Sequence, residues 1–286
     1  MILDVIHLQE GLSNASLAAY IPNSFPEHQL LKPAVIICPG GAYLGITEKE
    51  AEPVALKFIS EGYAAFILRY SIGEMARFPS PFIDLARAVM MIRSNASKWG
   101  IHPNNICISG FSTGGHVASA FAVSWQNELF AKALNADHTL FKPDALILGY
   151  PILDFKRFKM KHEDTSSEMR TLIEMMFTYI YGTLNPKNSQ IDEWNIINQI
   201  TSNMPPTFLW TTAEDNYADM EEIMDFIKSL AVYHIPYELH IFQKGDHGLS
   251  LGNHTVGYGM EKIRKLGNVP NWMTMALQWL KTTRSV

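Results

Sequence analysis

A serine flanked by two glycines in the pattern G-x-S-x-G lies at residues 110–114, with Ser112 at its centre. A β-branched run at 106–109 precedes the pattern, and a helix-compatible run at 116–124 follows it. Glycine has no Cβ, so the strand and the helix can approach closely while the serine is held in a strained turn. This order predicts that the Ser112 hydroxyl is exposed as a nucleophile at a helix N-terminus.

A serine hydroxyl needs a base within hydrogen-bond reach to act as a nucleophile at neutral pH. In an open parallel sheet the base is expected in a loop after the carboxyl end of a strand. Of the ten histidines, His247 lies in such a loop, after the last predicted strand. His116 is closer to Ser112 in sequence, but it falls on the following helix and is expected to face away from the hydroxyl. The sequence therefore favours His247 as the base.

An acidic residue is needed to orient the imidazole. The loop 212–219 follows the predicted strand 208–211 and contains Glu214, Asp215 and Asp219. Asp215 is the preferred acid, and Glu214 and Asp219 remain alternatives. With Asp215, the chain order of nucleophile, acid and base is the one found in α/β hydrolases.

Backbone N–H groups are needed to bind the oxyanion that develops on the attacked carbonyl. The segment Pro39-Gly40-Gly41-Ala42-Tyr43 follows the predicted strand 34–38, and its small residues allow close approach of the backbone. The amide of Thr113, directly after the nucleophile, supplies another donor. A phosphate-binding loop is the competing interpretation, but no Gly-Lys-Ser/Thr follows the glycines.

The elements that must position these residues follow an α/β rhythm, in which apolar runs alternate with helical patterns. We expect a mostly parallel central sheet with helices on both faces. The predicted strands are 34–38, 64–68, 106–109, 145–148, 208–211 and 237–242, with an antiparallel pair at 5–7 and 17–21. Thr47 and Glu50 have the spacing of a capping box that opens a helix toward Ile59, but Pro53 predicts that this helix starts irregularly or a little later. Ser80-Pro81 has the pattern of an N-cap and a first-turn proline.

The region 155–204 contains no predicted strand and is rich in Met, Phe and Tyr. We expect a small inserted cap of helices over the carboxyl edge of the sheet, within a single domain that spans 1–286. Flexible Met side chains suit an adaptable pocket, but the same residues also suit an anchor between the insertion and the core. Both interpretations stay open.

Composition bounds the class of protein. Hydrophobic residues make up 47% of the 286 residues and charged residues 18%, which is typical of a folded globular chain. The net charge of −5 and the lack of a basic block argue against nucleic acid or a membrane as partner. The first residues do not resemble a signal peptide, and Cys38 and Cys107 are expected as buried free thiols, so a cytoplasmic location is expected. Self-association into a homodimer stays open.

Several segments occur in the order of a known family. They are Pro39-Gly40-Gly41-Ala42-Tyr43, Gly110-Phe111-Ser112-Thr113-Gly114-Gly115-His116, Tyr150-Pro151, the run from Thr212 to Asp215, and Asp246-His247-Gly248-Leu249. The set resembles the α/β-hydrolase esterases related to hormone-sensitive lipase and to bacterial acetyl-xylan or feruloyl esterase-like proteins, over roughly residues 34–250.

The resemblance implies a catalytic triad of Ser112, Asp215 and His247. It also implies an oxyanion hole built from the amides of Gly41, Ala42 and Thr113. This chain departs from the pattern at three positions: Pro39 stands for a common His, Ala42 for a third Gly, and Thr113 for a common Ala.

The function that the resemblance implies is a serine carboxylesterase, free of cofactor and metal, acting on small acyl esters that include acetylated carbohydrates. Thr113 is expected to narrow the pocket, and Tyr43 is expected to bind substrate by covering one side of the acyl site. An amide hydrolase of arylformamidase type remains an alternative, as does a non-catalytic binding protein on the same fold.

Overall fold

The computed structural model describes residues 1–8, 14–23, 30–162 and 166–283. Within those ranges eight strands form one sheet: β1 (Ile2–His7), β2 (Ser16–Ile21), β3 (Lys32–Cys38), β4 (Ala64–Arg69), β5 (Ile101–Phe111), β6 (Ala145–Gly149), β7 (Thr207–Thr212) and β8 (Tyr237–Phe242). The α-helices in the same part of the chain are α1 (Glu52–Ser60), α2 (Ser80–Ser94), α3 (Ala96–Trp99), α4 (Ser112–Ser124), α5 (Glu128–Leu134), α6 (Phe155–Lys161), α7 (Ser167–Tyr181), α8 (Asn188–Asp192), α9 (Met220–Val232), α10 (Met260–Lys265) and α11 (Trp272–Thr283). None of these helices combines the length and apolar character needed to cross a membrane.

The strand order is β1-β2-β4-β3-β5-β6-β7-β8. The pairs β1–β2 and β2–β4 are antiparallel, and every pair from β4–β3 to β7–β8 is parallel. The carboxyl ends of β3 and β5 to β8 therefore meet at one edge of the sheet, where ligands of open α/β sheets bind. All the predicted strands are present, and β5 begins five residues before the predicted 106 because Ile101 pairs with Lys32.

Hydrophobic side chains cover both faces of the sheet, which explains the continuous apolar runs of the parallel strands. Ile36 and Ile108 pack on one face, against α2, α4 and α9. Val35 and Ile37 pack on the other, against α1 and α11. Cys38 and Cys107 are buried free thiols, as expected.

Two predicted N-caps are wrong, although both helices are present, α1 begins later than Thr47 as Pro53 predicts, and Pro81 lies in the first turn of α2. Residues Glu48–Glu50 form a 3₁₀ turn, Ala51 is the N-cap of α1, and the Thr47 side chain makes no capping hydrogen bond. The Glu50 side chain is buried and accepts hydrogen bonds from the distant residues Gly40 and Tyr150, so it is not available for a capping box. Likewise Ser80 is the first residue of α2 instead of its cap, because Pro79 occupies the N-cap position.

The insertion predicted at 155–204 contains α6, α7 and α8, between β6 and β7; its residues 163–165 lie outside the described ranges. Asp154 begins α6, because its carboxylate accepts the N–H groups of Lys156 and Arg157. Ser166 caps α7 through the N–H of Met169. The chain thus leaves the carboxyl edge of β6, forms helices above it and returns to begin β7.

Candidate active site

Ser112 lies at the sharp turn between β5 and α4, with a φ of 52°. This left-handed conformation is strained for a residue other than glycine and holds the side chain above the sheet. A Cβ on Gly114 would lie 2.0 Å from the carbonyl oxygen of Cys38, and one on Gly110 would lie 2.5 Å from that of Gly114. The two glycines therefore allow the strand–helix approach that the pattern predicts.

Ser112, His247 and Asp215 are joined in one chain of hydrogen bonds. The Nε2 atom of His247 lies 2.8 Å from Oγ of Ser112. Its Nδ1 atom lies 2.8 Å from Oδ2 and 3.0 Å from Oδ1 of Asp215. Asp215 is itself held by the N–H groups of Tyr217 and Ala218, at 2.8 and 2.9 Å from Oδ1. The imidazole is thus oriented with one nitrogen toward the hydroxyl and the other toward a buried carboxylate.

The alternative acids are engaged elsewhere. Glu214 is solvent-exposed, forms an ion pair with Lys244 and accepts the N–H of Gly245 at 3.0 Å. Asp219 caps the start of α9 by accepting the N–H of Glu221 at 2.8 Å. Of the three acids in the loop, the described contacts place only Asp215 against the imidazole.

His116 is buried, and its Nδ1 atom lies 2.8 Å from the hydroxyl of Tyr43. Burial lowers the pKa of His116 to about 3, because the charged imidazolium would lose its hydration. This pair corrects the expectation for Tyr43. The Tyr43 side chain is fully buried beneath the loop and does not line the cavity beside Ser112; Leu44, the next residue, does.

The segment 39–43, which we name the oxyanion loop, has three successive residues in the left-handed region. The φ angles of Gly41, Ala42 and Tyr43 are 137°, 56° and 59°. A Cβ on Gly41 would lie 2.2 Å from the carbonyl oxygen of Gly45, so that position requires glycine. Such a conformation persists only where surrounding contacts hold it.

Buried side chains supply those contacts. The Tyr70 hydroxyl donates to the Pro39 carbonyl at 2.7 Å, and the Gly40 N–H donates to Oε2 of Glu50 at 2.7 Å. The Ala42 N–H donates to Oγ1 of Thr113 at 2.9 Å. This last contact differs from the sequence expectation, because the threonine hydroxyl occupies an amide that was expected to face the oxyanion. Among the described residues, no acceptor is found for the amides of Gly41 and Thr113.

Glu50 is the residue of this site that the sequence reasoning missed. Its carboxylate bonds Gly40 through one oxygen and the Tyr150 hydroxyl, at 2.8 Å, through the other. Burial raises the pKa of Glu50, and the bonds from Gly40 and Tyr150 and the nearby His247 oppose that rise. A local signal for this role is absent, because the spacing to Thr47 matches a capping box equally well.

A cavity of about 460 Å³ opens beside Ser112 and His247. One side is polar, with Thr47, Lys49 and Glu50; the other is apolar, with Phe158, Leu172 and Met176 of the insertion. The methionines of the insertion divide between the two open interpretations. Met176 lines the cavity, Met204 is buried in the core, and Met160 and Met175 are exposed.

The chain is similar to known proteins over most of its length. The family model BD-FAE matches residues 18–230. Endo-1,4-beta-xylanase B of Butyrivibrio fibrisolvens is 31% identical over 242 residues, which are 82% of this chain and 35% of that protein. The acetylxylan esterase of Xylanibacter ruminicola is 23% identical over 82% of this chain and 44% of its own length. The chain thus spans less than half the length of these two curated relatives.

Solved structures match the chain over nearly its whole length. The acetyl ester-xyloside bifunctional hydrolase from Caldicellulosiruptor lactoaceticus superposes with a TM-score of 0.76 at 28% identity, covering 98% of this chain and 96% of that one. The family match covers most of the chain, and the mostly parallel sheet carries helices on both faces. The chain therefore belongs to the BD-FAE family, and its fold is that of the α/β hydrolases.

Proposed function

We propose that the protein is a serine carboxylesterase in which Ser112 is the nucleophile, His247 the general base and Asp215 the acid that orients the base. The observation that carries this proposal is the unbroken hydrogen-bond chain from Oγ of Ser112 through His247 to Asp215 at the wall of an open cavity. Such a chain is the arrangement that activates a weak hydroxyl nucleophile.

In the acylation step, Oγ of Ser112 attacks the ester carbonyl carbon while Nε2 of His247 takes the hydroxyl proton. Asp215 stabilises the imidazolium that forms. The amides of Gly41 and Thr113, for which the described residues offer no acceptor, are the donors for the oxyanion, since the Ala42 amide is already bonded to the Thr113 hydroxyl. The imidazolium then gives its proton to the alcohol oxygen as the ester bond breaks.

Water completes the cycle. His247 removes a proton from a water molecule, which attacks the acyl-enzyme carbonyl, and the proton returns to Oγ of Ser112 as the acid is released. Every proton in this sequence moves through Nε2 of His247, so the reaction as proposed needs no cofactor.

For the substrate we propose small acyl esters, with acetylated carbohydrates as one class. The division of the cavity supports this choice, because polar side chains at Thr47 and Lys49 suit a hydroxylated alcohol and the apolar wall at Phe158 and Met176 suits a short acyl group. The names of two similar proteins, an acetylxylan esterase and an acetyl ester-xyloside bifunctional hydrolase, support the same choice.

The test combines a serine-directed phosphonate probe with a substrate panel of p-nitrophenyl acetate, acetylated xylo-oligosaccharides and N-formylkynurenine. We expect labelling at Ser112 and turnover of the two acetyl esters. Labelling at Ser112 together with preferred turnover of N-formylkynurenine would indicate an amide hydrolase instead of an esterase. Neither labelling nor turnover would show a binding protein on a hydrolase fold.

A further inference from the structure

The buried carboxylate of Glu50 lies where the oxyanion loop meets the nucleophile. Only 2% of the residue's surface is exposed. Its Oε2 atom accepts the Gly40 N–H at 2.7 Å. A Cβ built on Gly40 would lie 2.9 Å from that oxygen and 2.8 Å from Cβ of Ser112, so the glycine backbone is held between the carboxylate and the serine. A displacement of Glu50 therefore displaces the strained backbone that carries the Gly41 amide.

The second oxygen connects Glu50 to the loop that carries His247. Oε1 accepts the Tyr150 hydroxyl at 2.8 Å, and that hydroxyl oxygen accepts the N–H of Ser250 at 2.8 Å. The Tyr150 ring also packs edge-on against the His247 ring, with centroids 5.0 Å apart. One carboxylate thus connects the loop after β3, the end of β6 and the loop after β8.

The two hydrogen bonds favour the ionised form of Glu50, against the burial that raises its pKa. Both oxygens accept hydrogen bonds from donors, which an ionised carboxylate satisfies and an amide does not. The titratable groups that face it are His247, Lys49, Tyr150, Tyr70 and Tyr258. Of these, His247 gains a positive charge during the proposed reaction, and a buried anion nearby stabilises that charge.

We propose that Glu50 is a positioning residue of the esterase: it fixes the oxyanion loop against Ser112, ties the His247 loop to it through Tyr150, and supplies a second negative charge for the imidazolium. This inference rests on the proposed function. It assigns a role to a glutamate whose hydrogen-bond partners among the described residues are Gly40 and Tyr150, outside the chain of Ser112, His247 and Asp215.

The central test is Glu50→Gln, assayed with p-nitrophenyl acetate across pH. The amide oxygen of Gln can accept one of the two hydrogen bonds, but its NH2 group then faces the donor of the other. We expect kcat and kcat/KM to fall together by about 10- to 100-fold, because the lost alignment acts on the transition state. We also expect the acid midpoint of the kcat/KM profile to move roughly half a pH unit or more toward acid, since the imidazolium loses a nearby anion.

Two further variants separate geometry from charge. Tyr150→Phe removes the hydroxyl link but keeps the carboxylate, so kcat should fall about fivefold or more with the acid midpoint unmoved. Glu48→Gln is the matched control: this glutamate lies two residues away on the surface, paired with Arg69, and its loss should leave both kcat and the profile as in the wild type.

The outcomes are distinguishable. An active wild type whose Glu50→Gln variant stays within twofold of its kcat would overturn this inference alone, as would a lower kcat with an unmoved acid midpoint, which marks a purely structural residue. A wild type that neither turns over esters nor reacts with the phosphonate would overturn the proposed function and this inference together. If Glu50→Gln does not fold, an unchanged kcat in Tyr150→Phe overturns the positioning role.

Discussion

The hydroxyl of Thr113 accepts the backbone N–H of Ala42 at 2.9 Å, across 71 residues of sequence. The same hydroxyl hydrogen-bonds to Tyr70, whose own hydroxyl donates to the Pro39 carbonyl. Thr113 therefore has two opposed effects on the proposed oxyanion hole: its backbone amide has no acceptor in the described part of the chain, while its side chain occupies the amide of Ala42.

Thr113→Ala should free the Ala42 amide as a third oxyanion donor. The bonds from Tyr70 to Pro39 and from Gly40 to Glu50 remain to hold the loop. We expect kcat for p-nitrophenyl acetate to rise by up to about tenfold, a part of what one donor contributes in other hydrolases. Thr113→Ser is the control, because it removes the methyl group but keeps the acceptor; it should not raise kcat. A Thr113→Ala enzyme slower than Thr113→Ser would show that the hydroxyl aids catalysis.

Ser112→Ala should abolish ester hydrolysis. Loss of a triad nucleophile costs on the order of 10⁶ in kcat. The variant keeps the Cβ and the left-handed backbone of the turn, so its melting temperature should stay close to that of the wild type. Turnover is measured on purified protein with p-nitrophenyl acetate. Retention of a tenth of the wild-type kcat would remove Ser112 from the mechanism.

Asp215→Asn should lower kcat by roughly 10⁴, because the amide favours the wrong tautomer of His247. Among the acids of the loop 212–219, Asp215 is the one whose carboxylate contacts Nδ1 of His247. Glu214→Gln is the matched control: this neighbour is exposed and paired with Lys244, so its loss should change kcat less than about threefold. A larger loss in the Glu214 variant would mean that the wrong acid was chosen.

The free energy of unfolding should carry a pH dependence from Glu222, a buried residue that accepts the N–H groups of Leu153 and Asp154 at the entry to the insertion. Burial, together with the charges of Asp154 and Asp219, raises the pKa of Glu222 to about 8. The folded protein therefore binds the proton of the Glu222 carboxyl more tightly than the unfolded chain does. The stabilisation that this bound proton gives to the fold is lost as pH rises from about 4.5 to about 8.

Glu222→Gln should remove this contribution, flattening the pH dependence of unfolding by an amount on the order of 1 to 3 kcal/mol. Urea unfolding at pH 5, 6.5 and 8 measures it. Glu221→Gln, on the exposed side of the same helical turn, should retain the wild-type dependence. If the free energy of unfolding depends on pH equally in the wild type and in the Glu222 variant, Glu222 ionises as it does in the unfolded chain.

The enzyme should prefer acetate to butyrate esters over longer acyl chains. Leu172 and Met176 of α7 line the apolar wall of the cavity of about 460 Å³, and Thr113 lines it beside the nucleophile. A series of p-nitrophenyl esters measures the preference as kcat/KM. Values that keep rising past octanoate, or a jump in rate at a lipid–water interface, would indicate that the helices above the cavity open and that the protein acts as a lipase.

The sequence predicted best what depends on local pattern. The turn at Ser112 needs a strand, two glycines and a helix within about twenty residues, and the structure contains all of them. The strands were found for the same reason, since burial on both faces leaves continuous apolar runs. His247 and Asp215 follow from one rule of topology, that functional loops extend from the carboxyl ends of parallel strands.

What the sequence could not predict depends on contacts between distant residues. Glu50 has a local spacing that suits a capping box, but its partners are ten and one hundred residues away. Tyr43 follows the oxyanion loop, but the left-handed backbone at Ala42 and Tyr43 directs its ring into the core, toward His116. The hydrophobic pattern of the sequence does not reveal these hydrogen-bond partners, because they depend on which polar groups meet after the strands have assembled.

The way in which buried side chains hold the oxyanion loop has a consequence for hydrogen exchange with solvent. The amide hydrogens of Gly40 and Ala42 are bonded to Glu50 and Thr113, whose side chains are anchored among packed elements, so their release requires those elements to separate. The Gly41 amide lies between them and has no such bond to any residue that the structure describes. We expect deuterium to enter Gly41 quickly and its two neighbours only on the timescale of large-scale opening, an alternation of fast and slow exchange over three consecutive residues.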